Sequence, residues 1–298
     1  MNTSRIEISA IVILYDGRAF LPDLLNTLRE NLTDINHEII FVDNGSTDGS
    51  VDYVRELCPT ARVIENRRNL GFAPAVNVGI KAARGAYLYI LNQDLRFRPG
   101  ATKALLERLK AEPEVGLIGP GYVYFDGRPQ RSVRAFPSYR HVFYRALLLD
   151  RIFRHHREFS HWRMGWFDHK SELYVDQPMG AVMMIPRAVI DKVGLMDERF
   201  PILFNDVDFC RRIKEAGYRL LYYPTAVVEH FVGASTRKHP YRLKVISHTS
   251  MYRYLRKYAL PREYPLLWLS GLLLMIGLVI SITGGWVRRL FIAREPSF

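Results

Sequence analysis

The first part of the chain alternates short apolar runs with stretches whose apolar positions recur every three or four residues. Continuous or alternating apolar runs suit strands inside a sheet, whereas a 3.6-residue period marks a helix with one buried face. On that basis Ile6–Leu14, Glu38–Val42, Ala61–Glu65 and Ala86–Leu91 are predicted strands. Ala19–Asn31, a segment ending at Leu57, Ala73–Ala83 and Ala101–Lys110 are predicted helices. Asp48 or Ser46 would cap the second helix, its side-chain oxygen accepting a free amide. This alternation predicts an α/β fold with a doubly wound, mostly parallel sheet, whose ligands lie beyond the carboxyl ends of the strands. Polar residues gather at those ends: Tyr15 and Asp16, Asp43 and Asn44, Asn66 to Asn69, then Asn92, Gln93 and Asp94.

Periodicity fades between residues 123 and 172, a stretch rich in arginine, histidine and aromatic residues. It reads either as a basic surface loop or as a flap facing an acceptor or a membrane. His155, His156, His161 and His169 lack the carboxylate or cysteine spacing of a metal site. Regular structure is expected again from Gly180, with a strand through Ile185, a short helix through Val193 and a helix from Asn205 to Ala216. Strands near Tyr218–Tyr223 and Val227–His230 follow, then a basic helix over Tyr241–Tyr258.

From Leu266 to Val287 there are 22 residues without a charge. As a helix they would extend roughly 33 Å, enough to cross a hydrocarbon core of about 30 Å. Arg253, Arg256, Lys257 and Arg262 precede the run, Arg288 and Arg289 follow it, and Trp268 and Trp286 lie near its ends. Indoles and basic side chains favour membrane–water interfaces. The reading preferred over a helix lying in one leaflet, or a buried core helix, is a span. The expected organisation is a catalytic domain over residues 1–236, a basic linker helix over 237–262 and a membrane segment over 263–298.

Composition changes this picture in two ways. Forty-two basic against 30 acidic residues give a net charge of +12. Such an excess suits a polyanionic partner. The basic residues are spread over the chain without a recognition motif, so nucleic acid is not expected, whereas an anionic membrane face and phosphorylated substrates are. Only two cysteines occur, Cys58 and Cys210, which points to a reducing compartment. The first residues show no charged leader followed by an apolar run, and no signal peptide is expected.

Several stretches carry candidate chemistry. Asp43, ending an apolar strand before Asn-Gly-Ser, can serve a local turn or present its carboxylate to a base or ribose. The GSTDGS stretch lacks the Gly-Lys-Ser/Thr of a phosphate-binding Walker loop, and no GxGxxG turn follows the first strand. Gly71 allows close backbone approach. Asp94, just past a buried strand, can hold a divalent cation against phosphate oxygens. Asp206 and Asp208 open a helix, where the positive dipole end favours carboxylates, and either can be a simple cap. His230 stands at a predicted strand end, as a metal ligand or an ordinary surface histidine.

Taken in order, the VILYD strand end, VDNGSTDGS, NLGFAPAVNVG, LNQD, GAVMMIPR, FNDVDFCRRIKEAGY and PTAVVEHFVGAST resemble the inverting family 2 glycosyltransferases. The likeness runs from Ile8 to about Thr236 and is strongest to the rhamnosyltransferase-like branch. It implies a GT-A fold (Rossmann-like, mostly parallel), here with a C-terminal membrane-associated helix. It also implies transfer of a sugar from a nucleotide-diphosphate donor to a glycan or polyprenyl-diphosphate-linked acceptor in cell-surface polysaccharide synthesis. The branch leans towards L-rhamnose donors, although UDP-hexoses are also used by close relatives. Residue by residue, the resemblance assigns Tyr15, Asp16, Asp43, Asn44, Ser46, Asn69, Gly71, Asn77, Asn92 and Gln93 to the nucleotide. It assigns Asp94 to Mg2+ or Mn2+, His230 to that metal or to the diphosphate, and Asp206 to the catalytic base.

Two positions depart from the family pattern. Asn92-Gln93-Asp94 stands where an acidic-X-acidic motif is usual, leaving one carboxylate for the metal. Asn205-Asp206 stands where an acidic pair is usual, so Asp206 must act alone. A non-catalytic, membrane-bound nucleotide-sugar-binding protein of the same fold is the alternative reading. The expected location is the inner membrane, with the catalytic domain facing the cytoplasm.

Overall fold

The computed structural model describes residues 6–231 and 240–292, with side chains in the second stretch for residues 241–283. The expected motif residues 232–236 and the side chains of Trp286, Arg288 and Arg289 lie outside the described ones. In chain order the first elements are β1 (Ile8–Leu14), α1 (Leu21–Leu32), β2 (His37–Asp43), α2 (Ser50–Leu57), β3 (Arg62–Glu65) and α3 (Phe72–Ala82). Then come β4 (Tyr87–Asn92), β5 (Leu95–Phe97), α4 (Ala101–Lys110), β6 (Val115–Val123) and β7 (Val133–Arg134). Next are α5 (Tyr139–Ala146), α6 (Leu149–Ile152), β8 (Leu173–Tyr174), β9 (Gln177–Pro178) and β10 (Val182–Pro186). The last are α7 (Arg187–Val193), α8 (Asn205–Glu215), β11 (Arg219–His230), α9 (Pro240–Lys257) and α10 (Tyr264–Ile292).

The main sheet runs β3-β2-β1-β4-β10-β6-β11-β5, with β8 pairing β11 off this path. Strands β1 to β4 pair in parallel, as does β6 with β11, whereas β10 and β5 run antiparallel to their neighbours. All seven residues of β1 are buried because both faces of the sheet are covered. Ala10, Val12 and Leu14 pack with Leu21, Leu24 and Leu28 of α1 and Leu105 of α4. The alternate residues Ile11 and Ile13 pack with Val76 of α3, Val189 of α7 and Phe209 of α8. The result is the three-layer α/β/α arrangement expected from the alternation of runs and helices.

Local expectations are corrected by the structure at two places and decided by it at a third. Val115–Val123 forms a buried strand where none was expected, because its glycines and Pro120 hide the apolar pattern. The two strands expected around residues 218–230 are one strand, β11, whose register with β6 shifts between Tyr223 and Val227 around Pro224. The helix α2 starts after Gly49, and Asp48, rather than Ser46, accepts its first amide, from Ser50 at 3.1 Å.

The chain divides into two compact units. One contains the sheet and its helices, up to Phe136 and again from Phe167. The other comprises Pro137–Trp166 and the C-terminal helices. Within the second unit, Pro137–Trp166 is partly helical rather than loop. Ser138 and His141 cap α5 reciprocally, and Glu158 accepts from Arg140 at 2.8 Å and Tyr144 at 2.7 Å. α10 packs on α5 and α9. Gly271 lets the ring of Tyr252 approach, since a Cβ there would lie 2.8 Å from Tyr252 Cε2. Pro261–Thr283 is long and apolar enough to cross a membrane, with most of its side chains exposed.

Candidate active site

Parallel register places the polar strand ends side by side. Leu14 pairs with Asp43, Ile13 with Asn92 and Asp43 with Glu65, so the residues following β1, β2 and β4 share one rim. The antiparallel β10 begins at the same rim: the Asn92 amide donates to the Ala181 carbonyl at 2.9 Å.

Much of the nucleotide set predicted from sequence is joined there by hydrogen bonds. The buried Gln93 amide pairs with the backbone of Tyr15, accepting from its N–H and donating to its carbonyl, both at 2.8 Å. The Asp16 N–H donates to Ser46 Oγ at 3.0 Å, and Asp16 Oδ1 accepts from the Thr47 amide at 2.9 Å. Asp16 itself has φ of 46°, a conformation uncommon for a residue with a side chain and most tolerated by Asn and Asp. The Asp43 carboxylate accepts from the amides of Gly45 and Ser46 and closes the turn after β2. Both readings of Asp43 remain compatible with this, because a carboxylate has about four acceptor sites.

Asn44 ties two loops together, donating to the Gly71 carbonyl at 2.9 Å and accepting from Asn66 at 3.1 Å. Asn69 accepts from the Gly71 amide at 2.9 Å. At Gly71, with φ of 94°, a Cβ would lie 2.7 Å from the Pro201 carbonyl oxygen. Asn77 is placed differently from the others. Its amide exchanges hydrogen bonds with the backbone of Met196 and donates to Glu198, pinning the segment before α8.

Asp94 and His230 come together from distant parts of the chain. β11 pairs with β5, and the Phe231 amide donates to the Asp94 carbonyl at 3.1 Å. His230 Nε2 then lies 3.5 Å from Asp94 Oδ1, both side chains being buried. Nδ1 of His230 is buried without a hydrogen-bond partner, and the His230 carbonyl accepts from Gln130 at 2.6 Å. No group of three or more His, Cys, Asp or Glu side chains able to hold a metal occurs among the described residues. One carboxylate and one imidazole fit a divalent cation that takes its remaining ligands from phosphate oxygens and water.

Asp206 stands at the start of α8, after a turn in which Phe204 adopts φ of 70°. Its Oδ2 accepts from Gln177 Nε2 at 2.8 Å and its Oδ1 from the Val207 amide at 2.9 Å. Gly180 abuts it, for a Cβ there would lie 2.8 Å from Asp206 Cβ. Burial raises the Asp206 pKa above the ordinary aspartate range. Hydrogen bonds from Gln177, Val207 and Gly180, with the charge of Arg134, oppose that rise. Asp208 is fully buried and serves packing instead. Its carboxylate pairs with Arg212 at 3.0 Å, and that guanidinium also donates to the carbonyls of Val193 and Leu195.

Sequence reasoning missed Gln177 and Arg134, which face each other across the β7–β9 pair. Two-residue strands leave no periodic trace. The one available signal was the position of Gln177, a polar side chain three residues ahead of Gly180.

The family profile of "Glycosyl transferase family 2" matches residues 9–170. The chain is 28% identical over 237 residues to an N-acetylglucosaminyl-diphospho-decaprenol L-rhamnosyltransferase of Mycobacterium tuberculosis, covering 73% of this chain and 74% of that one. It is 28% identical over 149 residues to a dolichol-phosphate mannosyltransferase of Pyrococcus furiosus, covering 49% of this chain and 41% of that one. Among solved structures, the mannosyltransferase PcManGT from Pyrobaculum calidifontis, in complex with GDP-Man and Mn2+, superposes with a TM-score of 0.58. That match has 19% identity and covers 91% of this chain and 70% of that one.

Proposed function

The chain belongs to glycosyl transferase family 2, and on that premise we propose that it is an inverting transferase acting from a nucleotide-diphosphate sugar onto a lipid-linked glycan acceptor. The observation that carries this reading is Asp206, a half-buried carboxylate whose orientation Gln177 holds from one side. In a direct displacement the acceptor hydroxyl attacks the anomeric carbon opposite the departing diphosphate. A carboxylate within hydrogen-bond reach of that hydroxyl removes its proton, which contributes typically about 10²–10⁴-fold. With one oxygen engaged by Gln177 and the other by the Val207 amide, Asp206 keeps acceptor capacity for the hydroxyl. Its raised pKa makes it a stronger base than an exposed aspartate.

The nucleotide belongs at the rim formed by Tyr15, Asp16, Asp43, Ser46, Asn92 and Gln93. There the Gln93–Tyr15 and Asp16–Ser46 bonds preorganise the loops before the donor arrives. Asp94 and His230 would hold Mg2+ or Mn2+, and when bound such an ion supplies Lewis-acid stabilisation of charge on the leaving diphosphate. The likeness to the L-rhamnosyltransferase favours an L-rhamnosyl donor and a polyprenyl-diphosphate acceptor. The apolar α10 supports attachment to a membrane, where an anchored enzyme meets an anchored substrate at raised effective concentration. On this proposal the chain acts at the inner membrane in polysaccharide synthesis, its catalytic domain facing the cytoplasm.

The test is transfer by full-length protein in membranes, screened over nucleotide sugars with Mn2+ and a polyprenyl-diphosphate glycan acceptor. Asp206→Asn should bind donor as the native chain does and lose transfer. Native turnover in that variant would remove Asp206 as the base.

A further inference from the structure

The second unit contains a surface that catalysis does not use. On α5, α6 and the residues flanking them, Leu147, Leu148, Ile152 and Phe153 are exposed, Leu147 by 66% and Ile152 by 65%. Arg151 and Arg154 are exposed in the same short stretch. Four large apolar side chains within seven residues are costly to leave in water, and a patch of this kind marks an interaction site.

The charge around the patch narrows the choice of partner. Pro137–Trp166 holds six arginines against two acidic residues, Asp150 and Glu158. Both acids are paired, Asp150 with Arg163 at 3.0 Å and Glu158 with Arg140 at 2.8 Å. The net positive charge therefore falls on the exposed arginines beside the apolar side chains. Trp166 is partly exposed, with the Arg157 guanidinium 5.0 Å from its ring. Leucine, isoleucine, phenylalanine and tryptophan interleaved with arginine make up an interfacial segment, whose apolar groups enter the headgroup–acyl boundary while the cations stay at the phosphates. α5, which leads directly into the patch, packs on α10 within the same unit, and α10 exposes Trp268, Leu272, Met275 and Val279.

We propose that Leu147, Leu148, Ile152 and Phe153, flanked by Arg151 and Arg154, dock into the headgroup layer of an anionic lipid bilayer, forming a second membrane contact beside α10. The inference rests on the membrane attachment read from α10 and adds a shallow contact that holds the segment between β7 and β8 against the lipid surface. Each arginine near an anionic leaflet contributes to such docking, and removing one weakens it roughly fivefold.

The experiment uses full-length protein reconstituted in vesicles with and without anionic lipid. Cys58 and Cys210 are both buried, so a dye attached at an introduced surface cysteine reports one site. Three positions are compared: Ile152→Cys on the patch, Val279→Cys on α10 and Lys103→Cys on the exposed face of α4. The Ile152 dye should be quenched several-fold more by nitroxides at the lipid headgroup than by aqueous iodide, and only in anionic vesicles. Arg151→Glu with Arg154→Glu should remove that preference and leave quenching at Val279 unchanged. Iodide quenching at Ile152 equal to that at Lys103, with Val279 still quenched by lipid, would overturn the second contact and leave the α10 reading intact. Loss of lipid quenching at both Val279 and Ile152 would overturn both. Energy transfer between Ile152 dyes on separate copies, independent of lipid, would assign the patch to self-association and overturn the proposal.

Discussion

Gln177 Nε2 lies 2.8 Å from Asp206 Oδ2, joining the two-residue strand β9 to the first turn of α8. The bond both orients the carboxylate and opposes the rise in pKa that burial imposes. Gln177 is thus a positioning residue for the proposed base. Its leucine variant should raise the Asp206 pKa further and move the acidic limb of the kcat/KM profile to higher pH. Activity at alkaline pH should be affected less than activity at neutral pH. A uniform loss at every pH, with the limb unmoved, would show that Gln177 supports only the fold.

Asp206 also couples the proposed chemistry to stability. Its folded pKa is raised, so between the ordinary aspartate value and the raised one the folded state holds a proton that the unfolded state has lost. Stability attributable to this group is therefore largest at low pH and falls as pH rises through that window. Asp206→Asn removes the cost of a buried charge while keeping an acceptor for Gln177. It should raise Tm at neutral pH by a few degrees and lower transfer by about 10²–10⁴-fold. Differential scanning calorimetry and an endpoint transfer assay read the two effects separately.

Asp94→Ala and His230→Ala should each weaken Mn2+-dependent donor binding, with little effect on the small metal-independent part. Calorimetric titration of the nucleotide sugar with and without Mn2+ measures this. Each variant should lose about tenfold or more in the metal-dependent affinity, since a divalent site with few protein ligands depends on each one. Equal affinities for native and Asp94→Ala protein with Mn2+ would remove Asp94 from the site.

Gly71→Ala should destabilise the first unit by about 1–3 kcal/mol, because φ near 94° with extended ψ is a conformation open almost only to glycine. The added Cβ would also press on the Pro201 carbonyl, which accepts from the Phe72 and Ala73 amides. Denaturant unfolding gives the stability change, and weaker donor binding should accompany it through the Asn44–Gly71 bond.

Arg212→Ala should be more damaging to stability than any change at Asp206. It takes the guanidinium away from the fully buried Asp208 carboxylate and frees two backbone carbonyls. Breaking a buried pair from one side costs about 3–5 kcal/mol. A urea midpoint equal to that of the native chain would show that the pair is not structural.

The parallel part of the sheet was legible because each of its strands is a short apolar run followed by a helix of clear period. The rim residues were legible for the same reason: the first polar side chain after a buried strand must lie at its end. Asp43 and Asn92 lie at the rim for this reason, with Asp94 two residues beyond Asn92. β6 was hidden by its glycines and Pro120, and its burial comes from β10 and β11 on either side. Helices α5 and α6 were hidden because the segment's aromatic and basic residues pack within a unit assembled from distant parts of the chain.

The amino-acid sequence alone determined the parallel strands β1 to β4 with their helices, where their polar ends lie, and that one late stretch is long and apolar enough to span a bilayer. These follow from local periodicity and from the cost of exposing or burying each side chain. Only the tertiary structure decided that β10 inserts antiparallel between β4 and β6, bringing Gly180 and Gln177 to Asp206. It likewise brought His230 to Asp94 through the pairing of β11 with β5. Strand edges choose partners by backbone hydrogen bonds and shared burial across long stretches of chain, and no local window of residues contains that choice.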